Sequence, residues 1–67
     1  MLIFAKPDLR QSAIKSGYSL RSLADGAGIA KESVTRLVHG RPVRAGTAKK
    51  ICEVLGQEFD ALFEIRE

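Results

Sequence analysis

The chain is 67 residues long, 45% hydrophobic and 28% charged, with a formal charge of +3 and an isoelectric point near 9.4. That supports one small globular domain with a single marginal core and leaves no room for a second, and no apolar run approaches the roughly 20 residues of a membrane span. The charge is split: residues 1–50 hold ten Lys or Arg against three acids, whereas residues 51–67 hold one Arg against five acids, which separates a surface that attracts a polyanion from one that repels it.

Met1 to Ala5 reads as a short strand, because Leu2, Ile3 and Phe4 all favour extended backbone. The same stretch is too short, and lacks the basic flank, for a secretory leader. Pro7 then opens a helix over about 7–16, where its missing N–H is not needed and Asp8 suits the positive end of the helix. Leu9, Ala13 and Ile14 are expected on the inner face of this helix, Arg10 and Lys15 on the outer one, and Gly17 just past its end.

Two further helices follow at 20–27 and 31–38, too close together for anything but a tight turn between them. Ser19 is placed as the N-cap of the first, with Tyr18 and Leu23 spaced as a hydrophobic staple. Leu20, Leu23, Ala24 and Ala27 recur on one face, and the small Ala24 lets the next helix approach. Gly28 breaks the pattern where a turn needs positive φ. Val34, Leu37 and Val38 form the apolar stripe of the next helix, Ile29 sits at staple distance from Val34, and Gly40 closes the helix. This is the pattern of a helix-turn-helix.

The outward face of helix 31–38 carries the functional signal. At about 100° per residue, Glu32 and Arg36 lie opposite the apolar stripe, flanked by Thr35 and His39, with Lys31 and Ser33 on the shoulders. Arg can grip guanine O6 and N7, Glu can accept from cytosine N4, and Thr can offer a methyl to thymine or a hydroxyl to phosphate. Lys31, Glu32, Thr35 and Arg36 are therefore the expected base contacts. The alternative is a solvated face on which Glu32 and Arg36 form an i,i+4 ion pair.

Arg41-Pro42-Val43-Arg44 is a basic, proline-stiffened loop placed where a chain leaving that helix would run along a phosphate strand. A fourth helix, about 46–55, turns Ala48, Ile51, Cys52 and Leu55 inward and Lys49 and Lys50 outward, with Gly56 as its stop. Thr47 lies near its N-terminus, within reach of a phosphate. Cys52 falls on the core stripe, and a lone cysteine allows neither an internal disulfide nor a cysteine-based zinc site, which suits a reducing cytoplasm. A short fifth helix, about 58–63, carries Phe59, Leu62 and Phe63 to the core and runs into the alternating Phe63-Glu64-Ile65-Arg66. The economical inference is that the two ends of the chain pair as a two-stranded ribbon. Either an open edge of that ribbon forms a dimer through Leu2, Phe4, Phe63 or Ile65, or the ribbon simply caps a monomer's core.

Ser19 to Gly40, together with RPVRAGTAKKICEVLG, resembles the DNA-binding domain of the Cro/XRE class of helix-turn-helix regulators, to which many phage repressors belong. The resemblance spans Leu9 to Phe63 at its widest, and its most specific elements are Ala24, Gly28, Ile29, Val34 and Leu37 in one register. It implies that the helix beginning at Lys31 enters the major groove, with Lys31, Glu32 and Arg36 touching bases or flanking phosphates. There are two departures. Leu20 replaces a Gln that in many members contacts a phosphate and braces the recognition helix, leaving the neighbouring Arg21 as substitute. Ala30 stands where many members cap that helix with Ser or Thr, so its first N–H groups lack a side-chain partner. The expected phosphate contacts are Ser19, Arg21, Ser33, His39, Arg41, Arg44 and Thr47.

The expectation is thus a single mainly α domain over 1–67, with five short helices around a helix-turn-helix. Its expected role is that of a sequence-specific regulator of transcription bound to an operator in double-stranded DNA. The nearest type is a small Cro-like repressor of phage or prophage origin, acting as a homodimer or alone. Its setting would be cytoplasmic, at the bacterial nucleoid or in a phage-infected host. The alternative is a protein-interaction module, such as an antitoxin or adaptor, that holds a protein partner through the acidic C-terminal face. An enzyme is not expected, since His39 is the only histidine and no nucleophile, acid and base can be assembled. No metal or cofactor is expected either, for want of ligand spacing or a phosphate-cradling glycine loop.

Overall fold

The computed structural model describes residues 1–67. The elements are β1 (Leu2–Ala5), α1 (Asp8–Lys15), α2 (Leu20–Ala27), α3 (Lys31–Val38), α4 (Ala45–Leu55), α5 (Phe59–Leu62) and β2 (Phe63–Arg66). The architecture is mainly α, with five helices and a terminal two-stranded ribbon, as the periodicity and end signals indicate. Pro7 has helical backbone angles (φ −55°, ψ −28°) and serves as the entry residue of α1.

Two local readings need correction. Ile14, expected on the inner face of α1, is 64% exposed, while Leu9 and Ala13 are buried. One residue is about 100° of helix, so Ile14 lies on the flank of the Leu9/Ala13 edge, and α1 presents only that edge to its main neighbour, α5. The fifth helix is also shorter than expected. It ends at Leu62, because Phe63 is already extended (φ −132°, ψ 161°) and pairs with Ala5.

The core gathers Ile3, Leu9, Leu23, Val34, Leu37, Ile51, Leu62 and Phe63, with Ala13, Ala24 and Ala48 where helices come closest. α2 packs against α3 and α4, and α5 bridges α1, α4 and β2. Cys52 is a buried member of this cluster, and its loss of solvent pushes the thiol pKa up. Phe59 stacks on Phe63 with ring centroids 5.5 Å apart.

β1 and β2 are antiparallel, pairing Leu2 with Arg66, Ile3 with Ile65, Phe4 with Glu64 and Ala5 with Phe63. On the other side of β1, the Val43 N–H donates to the Ile3 C=O at 2.8 Å, so the loop after α3 is tied to the sheet. The ribbon is further pinned to α5 by Lys6, whose Nζ donates to the Asp60 C=O at 2.6 Å. Of the residues expected at a subunit interface, Phe63 is 1% exposed and belongs to its own protomer's core, so it has no surface to offer. Leu2 and Ile65 are exposed, and Phe4 is half-buried beneath the Arg66 guanidinium, 4.3 Å from the ring centroid.

Candidate nucleic-acid interface

The helix-turn-helix is held at both ends of α2. At its start Ser19 Oγ accepts from the Ser22 N–H at 3.1 Å and the Ser19 N–H donates to Ser22 Oγ at 2.8 Å, a capping box closed by Ser rather than Glu or Gln. At its end Gly28 takes φ +69°, and the Ile29 N–H reaches the Ala24 C=O at 3.0 Å, which turns the chain into α3. Ala24 is 1% exposed, and a larger side chain there would force α2 and α3 apart. No side chain caps α3 at Ala30, nor α4 at Arg44. The free N–H groups at both helix starts carry the partial positive charge that attracts anions.

This corner decides which face of α3 is presented. Val34 and Leu37 are buried, whereas Lys31, Glu32 and Arg36 are exposed and Ser33 and Thr35 half-buried. The one ion pair in the chain is Arg66 with Glu64, so Glu32 and Arg36 make no contact ion pair with each other. Thr35 Oγ1 donates to the Lys31 C=O at 3.1 Å, which engages its proton within the helix and leaves its lone pairs and methyl for a ligand.

Three adjoining clefts cover this face. Lys31, Glu32, Thr35 and Arg36 border one. Thr35, Arg36, His39, Arg41 and Pro42 border the next. Ser33, Arg36, Pro42, Val43, Arg44 and Thr47 border the third, where α4 begins. Arg36 is common to all three, and around it stand Lys31, Arg41 and Arg44 against a single acid, Glu32. The fold therefore brings together Lys31, Glu32, Ser33, Thr35, Arg36, His39, Arg41, Arg44 and Thr47 on one surface. Ser19 and Arg21, at the start of α2, border none of these clefts, and the Ser19 hydroxyl is occupied in the capping box. Pro42 and Val43, expected only as the frame of the basic loop, also border these clefts. Val43 matters because its bond to Ile3 anchors the basic loop beside α3, and no local signal announces a contact between residues so far apart in the chain.

A buried two-helix corner that leaves one cation-rich face of its second helix open defines a helix-turn-helix nucleic-acid-binding domain. The chain belongs to the family of Cro/C1-type HTH DNA-binding domains, which it matches over residues 8–66. It is a DNA-binding regulator of that family, and DNA is its partner. No curated protein and no solved structure matches it significantly. No helix is long and apolar enough to cross a membrane.

Proposed function

We propose that this protein is a sequence-specific transcriptional regulator that lays α3 in the major groove of an operator and blocks a promoter, as a small Cro-like repressor of phage or prophage origin does. Its setting is then the bacterial nucleoid or a phage-infected cell. The observation that carries the reading is Arg36: exposed, without a carboxylate partner, and at the junction of all three clefts. In the groove it addresses guanine O6 and N7, Glu32 accepts from cytosine N4, and Lys31 and the Thr35 methyl contact neighbouring bases. Arg41 and Arg44 grip phosphates from the anchored loop, with Ser33, His39, Thr47 and the start of α4 beside them. Arg21, exposed at the start of α2, contacts a further phosphate. The acids Glu53, Glu58, Asp60, Glu64 and Glu67 border none of these clefts, so their like-charge repulsion of DNA acts away from the cation-rich face.

Selection of bound duplexes from a random-sequence pool tests this directly. The expected result is a consensus of two inverted half-sites about 10 bp apart. A pool that shows no enrichment, or binding that ignores sequence altogether, would remove operator recognition and favour the protein-interaction module.

A further inference from the structure

His39 is the only histidine in the chain, and it stands at the end of α3. Its backbone N–H donates to the Thr35 and Arg36 C=O groups at 3.2 and 3.1 Å. Beyond it Gly40 takes φ +84°, which brings the Arg41 N–H back to the Arg36 C=O at 3.0 Å. This closure uses backbone groups alone and leaves the imidazole out of it. The ring is exposed, and no side chain or carbonyl of the protein takes a hydrogen bond from it. Thr35, Arg36, Arg41 and Pro42 complete the cleft that His39 borders, so the charged groups facing it are two guanidiniums, one from α3 and one from the loop, and no carboxylate. Glu32, the single acid of the three clefts, borders the adjoining one.

A guanidinium keeps its charge at any pH of interest, whereas an imidazole ordinarily exchanges its proton near pH 6.5. A neutral imidazole offers one N–H donor; its protonated form offers two and a full positive charge. Arg41 grips a phosphate over this same cleft when α3 lies in the groove, and an anion that close favours the protonated ring.

We propose that His39 is a proton-gated phosphate contact: DNA draws a proton onto its imidazole, and the complex gains in mild acid a cationic grip that it lacks in alkali. The proposal rests on the reading that lays this face on DNA. Coupling is reciprocal, so if DNA strengthens proton binding, the proton strengthens DNA binding by the same factor. Affinity therefore rises as pH falls through the window in which the ring titrates, and levels off below it. A phosphate contact carries no sequence information, so specific and non-specific complexes tighten alike. Little else titrates there: burial pushes the Cys52 thiol up, and the terminal amine belongs to Met1, which borders none of the clefts.

Fluorescence anisotropy titrations of the selected operator and a random-sequence duplex, each over a salt series at about pH 5.5 and about pH 8, test this. On both duplexes the wild-type affinity should be about five- to tenfold higher at the lower pH, and the slope of log K against log salt steeper by up to about 0.9 per protomer, the increment of one added phosphate contact. His39→Gln should hold one slope at both pH values, and His39→Lys the steeper slope at both. In proton NMR the sole imidazole should titrate about one pH unit higher in the complex than in the free protein. A wild-type slope that ignores pH, a pH response that His39→Gln retains, or an operator-to-random ratio that moves with pH would overturn the proposal while leaving the DNA-facing surface in place. A protein that binds neither duplex at either pH would sink that surface and this contact together.

Discussion

Replacing Arg36 with alanine separates reading from positioning. The side chain is exposed and makes no ion pair, and its removal leaves Val34 and Leu37 buried as before, so unfolding free energy should change by no more than about 0.5 kcal/mol. On an operator, a bidentate arginine–guanine pair is worth about 1–3 kcal/mol of discrimination, which is about 5- to 150-fold in affinity. On random DNA Arg36 contributes only charge, and Lys31, Arg41 and Arg44 remain to supply that. Fluorescence anisotropy titrations of both proteins against the selected operator and a shuffled duplex, at one fixed salt concentration, give the ratio that matters. The operator-to-shuffled ratio should collapse by the factor above while the melting temperature holds. Equal losses on both duplexes would make Arg36 a phosphate contact, and no loss on either would mean that α3 does not enter the groove.

Arg44→Ala should instead weaken both duplexes alike. If Arg21, Arg41 and Arg44 each neutralise one phosphate, the slope of log K against log salt is about −2.7 per protomer and falls to about −1.8 in the variant; an unchanged slope would take Arg44 off the phosphates. Ser19→Ala opens the capping box and should cost about 1 kcal/mol in urea unfolding with operator affinity unchanged, whereas weakened DNA binding at full stability would return Ser19 to a phosphate. Gly28→Ala meets no atom within 4 Å, so its cost in the same assay is that of the left-handed backbone alone, about 1 kcal/mol; a loss several times larger would point to a clash that the turn does not show. Burial raises the Cys52 pKa, so above about pH 8.5 the unfolded thiol ionises first. Stability should therefore be level below that pH and decline above it, and the Cys52→Ala variant should lack this part of the decline.

The helix boundaries were legible because short-range sterics and capping set them. Gly28 and Gly40 adopt positive φ at the corners expected of them, Ser19 caps α2, and the uncapped start of α3 follows from Ala30. The exposed face of α3 was legible too, since burying Val34 and Leu37 leaves Glu32 and Arg36 outside by helical geometry alone. Tertiary structure decided what depends on a distant neighbour. Nothing local states that Ile14 would find no partner on its flank of α1, or that Phe63 would leave a helical run to pair with Ala5 and fill the core. The Arg41 N–H closes α3 locally on the Arg36 C=O, but local sequence does not place Arg44 beside Arg36, since the bond from Val43 to Ile3 holds that part of the loop to the ribbon. Helical period and turn chemistry act over a few residues and are written in the chain, whereas partners brought together from opposite ends of it exist only once the core has closed.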